Sequence, residues 1–241
     1  MFNFKELNLR EKVVITWICI SFMFWIVYSI LIDIFYPMFY FFIWILVFGV
    51  PLLKYKEKLR VILQNWQLNS FVKFLILGYG TIMLKDLVKA FFITVSEGFE
   101  INLFFTRVTQ LWTLNTMALT GFILGWYFLI TRIFFSDYEV FYVAGIFGLF
   151  SEDVIFSLIT NPIGFIFLAP LEICAYGLLI TPAALSVKNR GNRTIISLLK
   201  YVVAILIIIA FSFIPVSIVA IIKIYFPELI PPNLFEHWKF K

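Results

Sequence analysis

Six ionisable side chains stand where so apolar a chain has least reason to hold them. Lys85, Asp86 and Lys89 lie in FVKFLILGYGTIMLKDLVKAFFITV, Glu152 and Asp153 in GIFGLFSEDVIFSL, and Glu172 in GFIFLAPLEICAYGLLITPAAL. A charge at the centre of a bilayer costs about 2.5–3.5 kcal/mol on insertion scales. Six left alone would exceed a typical net stability of about 5–15 kcal/mol. They must therefore pair, take up protons or face water. Two lysines stand against four carboxylates, so two carboxylates remain even if both lysines pair. Those two are candidates for protonation, because a charged carboxylate away from water is costly.

Three chemistries suit these residue types. Carboxylates that gain and lose protons, or hold an ion, with lysine counter-charges that could also hold an anionic group, suit a proton- or cation-linked transport path. The same carboxylates could act as acid and base on a lipid or isoprenoid, one of them kept protonated by its surroundings. As a structural alternative, the charges form ion pairs that set helix register; breaking such a pair is costly even where forming it adds little. A polar helix face that meets a partner subunit has the same sequence signature.

Spacing adds detail. Lys85 and Lys89 share a helix face, and Asp86 is three residues from Lys89. Gly145, Gly148 and Glu152 share another face, on which glycines admit a neighbouring backbone. Glu172 follows Pro170, which frees a backbone carbonyl one turn earlier than the proline. KDLV (85–88) and EDVI (152–155) are alike and both follow glycines, which sets Lys85 and Glu152 at similar depth and suggests a pair between them. Gln110, Thr113, Thr116 and Thr120, with Thr106 and Thr109, recur every three or four residues. They form a polar stripe that either lines a cavity or bonds back to its own helix.

The elements that must position these groups are membrane helices. Of 241 residues, 63% are hydrophobic and 14% charged, against about 45–50% and about 25% in soluble domains. The apolar residues fall in blocks of about 20, the length that crosses the hydrocarbon. The expected fold is all-α, a polytopic helix bundle in a single domain (1–241). Seven spans are expected, at about 13–32, 38–53, 71–95, 108–130, 139–160, 163–185 and 196–222. The stretch after KYKEKLR (54–60) has the apolar spacing of a helix lying in the interface. Asn161-Pro162 is expected to end the fifth span. The run 13–32 follows Lys5, Arg10 and Lys12 but is too long for a signal segment, so a retained first helix is expected.

With the N-terminus in the cytoplasm, the N-terminal basic cluster, KYKEKLR, Arg132 and KNRGNR (188–193) all fall on the inner side. Asp33, SEGFE, Asn161-Pro162 and the tail fall outside, as the positive-inside rule requires. This reverses the orientation of seven-helix receptors and retinal proteins, and the last span has no midplane lysine for a Schiff base. The expected setting is a prokaryotic cell membrane. The net charge of +5 is accounted for by helix flanks, so no nucleic acid is implied.

Other chemistries are excluded by what is missing. The one histidine, His237, lies in the C-terminal tail, which excludes histidine-rich metal sites, bis-histidine haem, and Ser-His or Cys-His triads within the bilayer. Cys19 and Cys174 stand apart in apolar segments, without a CxxC. Dinucleotide, Walker A and zinc-protease motifs do not occur. FSEDVIF (150–156) and PLEIC (170–174) resemble, in their carboxylates, the Pro-x-Glu-Glu/Asp motif of small membrane lycopene cyclases. The first lacks the proline and the second has Ile173 where that family has an acid, so the family is not assigned.

The reading is a small transporter or channel-like protein. Glu152, Asp153, Glu172, Lys85, Asp86 and Lys89 form its substrate- or ion-binding site, lined by Gln110, Thr113, Thr116 and Thr120. A lipid- or isoprenoid-modifying enzyme and a structural subunit are the alternatives. No metal or cofactor is expected. The partners are the lipid bilayer, a small ion, lipid or other small molecule, and a membrane-protein partner or second copy.

Overall fold

The computed structural model describes residues 9–32, 36–192 and 197–225. Lys5, Asp33, Arg193, His237 and the proline-containing tail lie outside them. Among the described residues all regular structure is helical. The elements are α1 (Leu9–Ile32), α2 (Tyr36–Phe42), a π-helical stretch (Ile43–Gly49), α3 (Val50–Lys54), α4 (Lys56–Asn65), α5 (Ser70–Ser96) and α6 (Ile101–Arg132). Then come α7 (Asp137–Ser151), a 3₁₀ turn (Val154–Phe156), α8 (Ser157–Thr160), α9 (Pro162–Ser186) and α10 (Ser197–Tyr225).

Among the described residues four helices are long and apolar enough to cross a membrane, within Lys12–Leu31, Ile101–Arg132, Pro162–Ser186 and Leu198–Ile222. Two bent pairs raise the number to six: Met38–Lys54 with Lys56–Asn65, and Asp137–Ser151 with Val154–Thr160. The helices thus support four to six candidate spans rather than the seven expected. The difference is α5. It is one unbroken helix of 27 residues, roughly 40 Å at 1.5 Å per residue, but it carries Lys73, Lys85, Asp86 and Lys89.

The fifth expected segment also differs. It is not one helix ended by Asn161-Pro162; it breaks at Glu152-Asp153. Asp153 has φ 57°, the left-handed region, which Asp tolerates better than most side chains. The chain bends there by 75°. Asn161-Pro162 instead begins α9: the Asn161 side chain accepts from Gly164 N at 2.9 Å, with Pro162 in the first turn.

α9 is the hub. Almost every residue from Leu168 to Ser186 is buried, and α9 packs against α7, α5, α1 and α4. Its prolines decide part of the docking. Pro170 has no N–H for Ile166, and its ring crowds the preceding turn. Trp17 Nε1 of α1 donates to the Ile166 carbonyl at 2.9 Å and Trp25 Nε1 to Phe167 at 3.2 Å. Glycines decide the rest. A Cβ on Gly145 would lie 2.5 Å from the Ile173 carbonyl oxygen, and one on Gly148 would enter the Tyr176 ring. Gly121 of α6 lies against the backbone of Phe211 and Ser212 in α10, where Pro215 leaves the Phe211 carbonyl without its helical donor.

The basic ends meet at the start of α7. Asp137 takes Arg60 of α4 on one oxygen and Arg190 on the other, the latter at 2.7 Å. Lys200 of α10 pairs with Glu139. Glu139 also closes a capping box with Ser136, accepting from Ser136 N at 2.8 Å. Lys73 caps the end of α4, donating to the Leu63, Gln64 and Trp66 carbonyls at 3.2–3.3 Å. At the opposite end of α5, Gly98 turns the chain with φ +91° and Arg107 pairs with Glu97.

Two opposite outcomes are expected from glycine-to-alanine changes, read as melting temperature in detergent. Gly145→Ala and Gly121→Ala each force backbones apart and destabilise by about 1–3 kcal/mol. Gly80→Ala meets nothing within 4 Å and stabilises by roughly 0.5–1 kcal/mol, the cost of a helical glycine.

Candidate functional site

Five of the six predicted charges come together. α5 contributes Lys85, Asp86 and Lys89, all buried. α9 contributes Glu172, 5% exposed. α7 contributes Glu152 as its last half-turn, the Glu152 N–H still bonded to Gly148 O at 3.0 Å. Glu172 interacts electrostatically with Glu152, Lys85 and Lys89, and Glu152 with Lys89 and Lys85.

Asp153 does not join them. The break that ends α7 carries it to an exposed turn. The left-handed Asp153 turns the chain by 75° and leaves its own side chain exposed while Glu152 bonds to Tyr176.

The local pairing also departs from expectation. Lys85 Nζ lies 3.8 Å from Asp86 Oδ1, its own neighbour, rather than directly on Glu152. Lys85 reaches Glu152 through a tyrosine. Its ammonium sits 5.3 Å from the centre of the Tyr176 ring, a cation–π distance. The Tyr176 hydroxyl donates to Glu152 Oε1 at 2.6 Å, a short bond of the charge-assisted kind. Gly148 makes this possible, because the Tyr176 ring fills the space a side chain there would take. Tyr176 lies one helical turn after Glu172, so the i, i+4 pair Glu172/Tyr176 could have been read from the sequence.

Two further residues were not legible. Asn115 Nδ2 of α6 donates to Asp86 Oδ1 at 2.8 Å. Tyr40, buried on α2, interacts with Glu172, Glu152 and Asp86. Beside it the backbone is π-helical, and Trp44 Nε1 donates across to the Ala175 carbonyl at 3.2 Å. The widened turns lie just before Pro51, whose ring crowds the carbonyl four residues back. Asp86 Oδ2 is buried with no hydrogen-bond partner.

The threonine stripe mostly turns back on its helix. Thr113 is exposed and donates to Thr109 O at 2.9 Å; Thr120 donates to Thr116 O at 2.7 Å and shares a 2.9 Å bond with Tyr79. Thr116 Oγ1 is buried without a partner, and Gln110 is half-buried. The α6 residue that touches the charges is Asn115, not a member of the stripe.

Chemically, this is a cluster of two ammonium groups, three carboxylates and two phenols, buried except for the partly exposed Glu152 and contributed mainly by α5, α7 and α9. It can hold and pass protons, and it can present ammonium or phenol donors to an anionic group. Among the described residues no three His, Cys, Asp or Glu side chains converge as a metal site.

Asp86→Ala strands Lys85 in the core, and a loss of about 3–5 kcal/mol is expected. The double change Lys85→Met/Asp86→Leu should recover most of it, since an apolar pair of similar volume removes both charges together. Asp153→Asn should leave the melting temperature where it is. Thermal unfolding of the four purified proteins measures all of this. Comparison of the chain with protein-family models, curated proteins and solved structures gives no match.

Proposed function

We propose that this chain is a small membrane transporter, proton- or cation-linked, whose site is the cluster of Lys85, Asp86, Lys89, Glu152 and Glu172. One observation carries the reading: five ionisable side chains from three helices are gathered where a candidate span breaks and turns by 75°. Buried charge beside interrupted helix is the arrangement in which transporters bind substrate and coupling ion. A purely structural set of pairs would need neither the break nor the surplus carboxylate.

The topology proposed with it is seven crossings, N-terminus cytoplasmic and C-terminus outside, in a prokaryotic cell membrane. α5 is the added crossing. Its length suffices, and its charges have partners in the bundle. The meeting of Arg60 and Arg190 on Asp137 supports a single basic side, as the positive-inside rule asks.

A second reading is an intramembrane enzyme acting on a lipid or isoprenoid. A hollow of ≈ 500 Å³ between α1, α8 and α9 supports it, walled by Phe24, Trp25 and Tyr28 and by Ser157, Thr160 and Asn161. Aromatic walls with hydroxyl and amide groups suit an amphiphile.

Charge movement on proteoliposomes adsorbed to a solid-supported membrane tests the first reading. A panel of inorganic ions and small organic acids and amines is expected to give at least one transient current. Glu152→Gln and Lys89→Met should abolish it and Asp153→Asn should keep it. A silent panel, together with altered lipid species after incubation, would favour the enzyme. Topology is checked separately in a Cys19→Ser/Cys174→Ser background. An impermeant thiol reagent applied to intact cells should label a cysteine placed at Gly98 but not one placed at Lys58.

A further inference from the structure

We propose that the cluster carries one exchangeable proton, held on Glu172, and that this proton is the ion the site couples to its substrate. The proposal rests on the transport reading above and names its ion.

The charge count comes first. With Asp153 outside, Lys85 and Lys89 face Asp86, Glu152 and Glu172, which among the described residues leaves one carboxylate in excess. Asp86 Oδ1 is matched by Lys85 at 3.8 Å and by the Asn115 amide at 2.8 Å, while its Oδ2 is buried without a partner. Glu152 is matched by the Tyr176 hydroxyl at 2.6 Å and by the attraction of Lys89 and Lys85. Glu172 is the one left. It is 95% out of reach of solvent, being 5% exposed. No hydrogen bond donated to it forms among the described residues, unlike Asp86 and Glu152. Among the described residues the charges around it are Glu152, of the same sign, and Lys85 and Lys89, of the opposite sign. The other titratable groups facing it are Tyr40 from α2 and Tyr176 from its own helix, both neutral acids. A buried carboxylate that accepts no hydrogen bond and stands beside another carboxylate is most cheaply held as the neutral acid.

The alternative ion is a metal cation. It would need several oxygens converging on one point. The nitrogen donors here are ammonium groups, which have no lone pair to give and repel a cation. Among the described residues the carboxylates do not converge as such a cage. A proton needs a single oxygen and cancels the single excess charge. On uptake, a proton from water forms an O–H bond on a carboxylate oxygen of Glu172 and the cluster goes from one net negative charge to none. On release that bond breaks and the proton returns to water. The uptake also turns Glu172 from an acceptor into a donor, so protonation and the binding of an anionic group favour each other.

The test is infrared difference spectroscopy of the full-length purified protein between acidic and alkaline buffer. The wild type is expected to show a pH-dependent carbonyl stretch of a protonated carboxylic acid that shifts in heavy water. Glu172→Gln should lose it, Glu172→Asp should move it, and Asp153→Asn should leave it unchanged. Addition of sodium or potassium ions at fixed pH should release no protons into an indicator dye. The proposal is overturned if no such band exists, if it persists in Glu172→Gln, or if either cation displaces protons. Should Glu172→Gln not fold, a band unmoved in Glu172→Asp overturns it equally. The transport reading fails on different data: a titrating band in a protein that gives no current leaves the proton site standing and removes the transporter.

Discussion

Within hydrocarbon a polar group has no water to fall back on, and most of what is specific in this protein follows from that. Among the described residues, several prolines, tryptophans and charges either find a partner or create a need for one. Pro170 exposes carbonyls on α9, and Trp17 and Trp25 bring α1 to them. Pro215 frees a carbonyl on α10, and Gly121 lets α6 lie against it. In a soluble protein many of these contacts would compete with solvent and contribute little. Here they are the terms on which one helix recognises another, because lipid tails offer apolar side chains nearly the same contacts a neighbouring helix would.

α7 shows how the two polar regions are connected. Its first turn carries Asp137 and Glu139, tied to α4, to the segment after α9 and to α10. Its last residues lead to Glu152, bonded to Tyr176 of α9. Between the two ends, Gly145 and Gly148 hold the helix backbone hard against α9. A helix fixed by ion pairs at one end, pressed against a hub along its length and broken at the other end delivers a carboxylate to one place only. The break releases the chain into α8 without disturbing that placement. The same glycine that permits the close approach also makes room for the ring that binds the carboxylate, so packing and polar satisfaction are one feature here rather than two.

Much of the site was legible in composition and spacing. Charges in apolar runs stand out whatever the fold, and Lys85, Asp86, Lys89, Glu152 and Glu172, which the helices bring near one another, were picked out that way. The Gly145–Gly148–Glu152 face was legible because helical periodicity holds over short distances. Asp153 was misplaced because periodicity assumes an unbroken helix, and nothing in SEDVIF marks the left-handed residue beforehand. The Lys85–Glu152 pair was drawn directly where a tyrosine stands between. Asn115 was overlooked because an amide among threonines reads as one more member of a stripe. Tyr40 was overlooked because, among 31 Phe and 11 Tyr, an aromatic residue announces nothing.

The sequence by itself determined the class of protein, the helices and the need for buried charges to be resolved. These depend on hydrophobic length and on the cost of charge in hydrocarbon, which are properties of residues taken along the chain. Tertiary structure alone decided where α7 breaks, which carboxylates meet, and which of them lacks a donor. Those depend on how close α9 comes to α5 and α7. That closeness is set by glycines and prolines on separate helices acting together, and distance between helices is not written in either helix alone.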